Sequence, residues 1–205
     1  MDIPANLFEQ LRYVKRSLHG MMNGPISASM RDKGLAYKVI FGVELPRLQA
    51  FSEELPHTYE LAAALWKEDI RECRLLAGML MPTDRMDAEL ADLWIEQMRY
   101  VEEAECTVLH LFVHEPWASN KAFEWIASSQ DMKQLCGYLL LARLFMMHNA
   151  LSARDAAEYL DQTASVLRQG TQSMVARAAS KALVKFMDLG NEQEQQAEKM
   201  LHTLE

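Results

Sequence analysis

The sequence predicts an all-α protein in which antiparallel helix pairs stack into a solenoid. Three observations carry that prediction. Only eight glycines and six prolines interrupt 205 residues, so long stretches of good helix formers run unbroken. Apolar residues recur at i, i+3, i+4 and i+7, as in Cys73, Leu76, Ala77 and Leu80. Trp66, Trp94 and Trp125 fall near the ends of shorter helical segments, at intervals of 28 and 31 residues, each followed by a longer amphipathic segment. Two helices per unit at such a period mark an α-solenoid, with a globular helical bundle as the alternative. The length fits one domain over residues 1–205.

The elements follow in order. Leu7, Leu11, Val14 and Leu18 place a first helix from about Pro4 to Met22, which Asn23-Gly24-Pro25 breaks. Ser27–Ile40 reads as a short helix preceded by a loop. Gly42 is a turn residue, and Pro46 suits the first turn of the next helix. Helices then run from about His57 to Trp66 and from Glu68 to Met81. Asp84–Trp94 is followed by a long segment, Ile95–Val113, that holds a kink or a turn, and Glu115-Pro116 interrupts it. Ser119 caps a helix ending near Trp125. Asp131–Met147 is strongly apolar, and Ser152 caps the helix after it. Thr171–Met187 and Asn191–Leu204 complete the set.

Half the residues are hydrophobic, enough for a sizeable core. The fourteen methionines lie mostly at or near apolar stripes, where they fill gaps between helices. The net charge of -8 disfavours nucleic acid as a partner for the body as a whole, although a basic patch can sit on an acidic protein. Cys73, Cys106 and Cys136 are odd in number and widely spaced, so buried free thiols in a reducing compartment are expected. No secretory signal is visible. The longest apolar run, Gly137–Met147, contains Arg143 and is too short for a bilayer, which predicts a soluble cytoplasmic protein without a membrane partner. Cys106, His110 and His114 share one helical face. Three ligands spread over two turns reach one ion poorly, and no HExxH glutamate stands between the histidines, so no metal centre is expected. No phosphate-binding loop, dinucleotide fingerprint or nucleophile elbow is present, and no cofactor is expected.

Phe41–Leu48, FGVELPRL, precedes Leu61–Met81, LAAALWKEDIRECRLLAGMLM. In this order and at this distance the two segments resemble the AlkD-like family of DNA alkylation repair proteins, and the resemblance extends over about Tyr37–Phe186. It implies an α-α superhelix of HEAT-like repeats that binds duplex DNA in a concave groove. It also implies a carboxylate that stabilises the charge developing on the sugar, aromatic side chains against the lesion, and an arginine on phosphate. Laid on this sequence, Glu105 falls where the family has its aspartate. Val101 falls where it has a tryptophan, with Tyr100 beside it as a stand-in. Leu135 occupies the arginine position and Lys181 that of a second aromatic. Release of N3- or N7-alkylated purines is therefore expected to be slow or absent.

Arg177, Lys181 and Lys185, spaced i, i+4, i+8, form one basic stripe that suits phosphate. For this stripe, and for the acidic run Glu102, Glu103 and Glu105, the competing reading is an ordinary solvated face. Two functions stand on the sequence: a DNA-repair-like protein binding duplex DNA, and a non-catalytic scaffold whose groove takes a protein or another ligand.

Overall fold

Helices account for the regular structure in a computed structural model that describes residues 6–170 and 172–204. The expected helix starts at Pro4 and Thr171 lie outside the described residues. The chain divides into two compact units, Met1–Met86 and Asp87–Glu205. No strand forms among the described residues; Val39 and Ile70 make one isolated parallel bridge. No helix among them is long and apolar enough to cross a membrane.

The first unit holds α1 (Leu7–Gly20), α2 (Gly24–Asp32), α3 (Leu45–Glu53), α4 (Tyr59–Trp66) and α5 (Arg71–Leu80). Asn23 ends the α1 connection and caps α2, its side chain accepting from the Ile26 amide at 3.2 Å, with Pro25 in the first turn. The breaker seen in the sequence is thus also a helix start, and the second helix lies earlier than Ser27–Ile40. Tyr37–Val43 is instead an extended connection pinned from α5. The Glu72 carboxylate, fully buried, accepts from the amides of Phe41 at 3.1 Å, Gly42 at 2.9 Å and Val43 at 3.2 Å. Arg71 donates to the Val43 carbonyl at 3.1 Å and lies 3.3 Å from Glu72. Gly42 has φ +75°, and a Cβ there would stand 2.4 Å from the Asn23 carbonyl oxygen. Only glycine fits both the angle and the space.

Arg74 locks α4 to α5. Its guanidinium donates to the Trp66 carbonyl at 2.9 Å and stacks 3.8 Å from the centre of the Trp66 ring. Every residue of α5 is buried, the charged ones included.

The second unit holds α6 (Ala88–Gln97), α7 (Val101–His110), α8 (Ala118–Ile126), α9 (Asp131–Met146), α10 (Ala153–Arg168), α11 (Met174–Met187) and α12 (Asn191–His202). The turn expected within Ile95–Val113 falls at Met98–Tyr100. There the chain is extended, and Glu103 caps α7 by accepting from the Arg99 amide at 2.6 Å and the Tyr100 amide at 3.3 Å. Trp117, not Ser119, precedes α8. Ser152 and Ser173 cap α10 and α11.

α9 is the central element, packed against α7, α8 and α11. Gly137 lets α8 approach; a Cβ on it would stand 2.8 Å from the Ile126 amide nitrogen. Gln134 reaches back eight residues to the Ile126 carbonyl at 3.3 Å, as Arg74 does to Trp66. The α4–α5 and α8–α9 pairs thus share one connection, the local mark of a structural repeat. All three tryptophans used in the spacing argument are buried. Trp125 packs with Phe112 and Trp117, while Phe145, Tyr159 and Phe186 tie α9, α10 and α11 together.

Candidate nucleic-acid interface

In the second unit α7, α9 and α11 form a row with α9 in the middle; α8 packs on α9 and α10 on α11. α11 is strongly two-faced. Val175, Ala176, Ala178, Ala179, Ala182, Leu183 and Phe186 are buried. Arg177 and Lys181 are exposed on the other side, and Lys185 is half-buried. Because α11 runs unbroken from Met174 to Met187, the three cations lie along about 12 Å of its axis.

Their surroundings differ. Lys185 donates to Asp188 at 2.7 Å. Arg177 and Lys181 have no acidic partner among the described residues. No Asp or Glu occurs between Asp161 and Asp188, whereas Arg168, Arg177, Lys181 and Lys185 all do. This acid-free window belongs to the unit with the acidic excess: the second unit holds ten Lys/Arg and eighteen Asp/Glu, the first eleven of each.

The acidic run on α7 is not one solvated face. Glu103 is buried and holds backbone amides, Glu102 is half-buried, and Glu105 alone is exposed. Tyr100 sits at the N-cap of α7, half-buried, with the Arg99 guanidinium 5.5 Å from its ring centre. Tyr100 precedes the first helical residue in extended backbone, so helical spacing does not set it on the face of Glu105. Val101 is half-buried, and Leu135 is buried inside α9. Lys133, two residues earlier, is held by Glu96 at 3.2 Å and by Asp92 at 3.6 Å.

Asp92 is a junction that the sequence did not reveal. It accepts from Trp125 Nε1 at 2.8 Å and from Lys121 at 2.7 Å. Burial alone would raise its carboxyl, but the hydrogen bonds from Lys121 and Trp125 and the charges of Lys121 and Lys133 hold it below the usual range. At the far end of α7, burial first and then His114 and Arg143 push the His110 imidazole down. Cys106 is buried, and among the described residues no three His, Cys, Asp or Glu side chains converge as metal ligands would.

The chain matches a solved structure described as "a new family of proteins related to the HEAT-like repeat DNA glycosylases with affinity for branched DNA structures". The match has a TM-score of 0.84 at 17% identity and covers 100% of this chain and 83% of the other. That likeness shows the fold, all-α with HEAT-like repeats, as the sequence predicts. A comparison with curated proteins finds no match. The family model described as "DNA alkylation repair enzyme" matches residues 14–183, from within α1 to the buried side of α11. With most of the chain accounted for, and with the Gly42–Glu72 and Trp66–Arg74 contacts explaining why its strongest motifs read as they do, the protein belongs to the DNA alkylation repair enzyme family.

Proposed function

We propose that this protein binds DNA through the phosphate backbone, using Arg177 and Lys181 on the exposed face of α11, and that it does so without efficient base excision. The exposure of Arg177 and Lys181 without an acidic partner among the described residues is the observation that carries this reading. Two unpaired cations lie about 6 Å apart along the helix, in a unit otherwise rich in acid. The affinity of the structural neighbour for branched DNA makes a four-way junction the natural first ligand.

Excision asks for more. An alkylated purine is already cationic, so the remaining task is to stabilise positive charge on the sugar and to hold the nucleotide in place. Glu105 is the only carboxylate at the corresponding position. It is solvent-exposed, where its charge is screened, and Tyr100 is half-buried at the N-cap of α7. The acidic excess of the second unit favours the alternative, a scaffold whose row of helices receives a protein partner.

Titrating the protein into a labelled four-way junction and a linear duplex at low salt separates the two. Binding to both, tighter to the junction, is expected. No binding to either would leave the scaffold reading.

A further inference from the structure

We infer that the first unit supplies a second set of phosphate contacts, from the exposed side of α1 and from the segment that follows α2, taking a nucleic-acid backbone independently of α11. Residues 10–47 contain seven Lys/Arg and only two Asp/Glu, while the rest of the first unit holds four Lys/Arg and nine Asp/Glu. This is the most basic stretch of the chain.

The structure shows which of these charges are committed. Lys15 is paired with Glu68 at 2.6 Å, and Arg31 donates to the Tyr37 carbonyl at 3.1 Å. Arg12, Arg16, Lys33, Lys38 and Arg47 are all exposed, and none forms an ion pair among the described residues. Arg12 and Arg16 are one helical turn apart on α1, about 6 Å along the axis, the same spacing as Arg177 and Lys181 on α11. The opposite side of α1 is fixed to the unit: Val14 and Leu18 are fully buried, and α1 packs on α4. The cations therefore stand on a rigid helix rather than on a loose arm.

Phe8, 66% exposed, carries the Arg12 guanidinium 5.8 Å from its ring centre. An exposed ring held beside an unpaired cation suits a polyanion with stackable bases, as single-stranded and distorted nucleic acids present. Charge complementarity thus points to nucleic acid as the occupant. The inference rests on the DNA-binding reading above, and it places the contact in the other unit.

The test uses the full chain and a labelled four-way junction at 50 and 200 mM salt. Arg12→Glu/Arg16→Glu and, separately, Lys33→Glu/Lys38→Glu are compared with wild type and with Arg177→Ala/Lys181→Ala. The four substituted residues of the first unit make no hydrogen bond or ion pair among the described residues, so each melting temperature should match wild type. Each first-unit variant is expected to weaken junction binding about tenfold at 50 mM salt and to flatten the salt dependence. Combined with the α11 variant, the losses should add on a logarithmic scale, as independent sites do. Junction affinity within twofold of wild type in both first-unit variants, with the α11 variant impaired, would overturn this inference and leave α11 standing. Wild-type binding to phosphatidylserine vesicles but not to DNA would overturn it as well, by assigning the surface to a membrane.

Discussion

Replacing Glu72 with glutamine keeps the shape of the side chain and removes its charge. In the native structure one carboxylate oxygen accepts from Gly42 and Val43 and lies 3.3 Å from Arg71, while the other accepts from Phe41. A carboxamide satisfies only half of this. Whichever way it is turned, its NH2 group meets a backbone N–H, and a buried donor is left without an acceptor. Arg71, 6% exposed, also loses the carboxylate 3.3 Å from its guanidinium. Breaking a buried pair by removing one partner typically costs about 3–5 kcal/mol. For a chain of this length about 1 kcal/mol moves the melting temperature by about 2–4 °C, so Glu72→Gln should lower it by about 6–20 °C. Circular dichroism at 222 nm during heating reads the change. A melting temperature within about 2 °C of wild type would show that the carboxylate does not hold the Phe41–Val43 turn as described.

Three further outcomes are expected. Gly42→Ala should destabilise by about 1–3 kcal/mol in urea, because the added Cβ meets backbone at 2.4 Å and the angle is left-handed; an unchanged midpoint would contradict this. The depressed Asp92 carboxyl contributes stability that is present above its unfolded value of about 3.9 and is lost as pH falls through the lower folded value. Asp92→Asn should therefore lower stability at pH 7 and narrow the gap to wild type as the solution is acidified below pH 4; a constant gap would sink the assignment. Glu105→Gln should leave release of 7-methylguanine from duplex DNA where wild type has it, near the spontaneous rate; fast release abolished by that substitution would restore Glu105 to catalysis.

The helix pattern was legible where apolar spacing and caps agree, as in α1, α9, α10 and α11. It was less so where the break is made without Gly or Pro. The α6–α7 turn at Met98–Tyr100 depends on Glu103 bonding backward to two amides, with tyrosine rather than Ser or Thr at the cap. Asn23-Gly24-Pro25 misled in the opposite way, since the residues that end one helix also open another. At the candidate site, the spacing of Arg177, Lys181 and Lys185 was readable, and the structure keeps them on one helix. The pairing of Lys185 with Asp188, three residues on, lay in the same sequence and reduces the free cations to two. The basic density of residues 10–47 was visible as composition, but which of its charges are spent on Glu68 and Tyr37 needed the folded chain.

The central claim is that unpaired cations on α11 hold DNA phosphates. Each neutralised phosphate contributes a slope of about −0.9 in log affinity against log salt, so Arg177 and Lys181 together should contribute about −1.8. That corresponds to about twelvefold of the affinity lost between 50 and 200 mM salt. Fluorescence anisotropy of a labelled four-way junction, read across that range for wild type and Arg177→Ala/Lys181→Ala, measures it directly. The variant should bind more weakly at every salt concentration, with a slope shallower by about 1.8. Equal slopes for the two proteins would contradict the account.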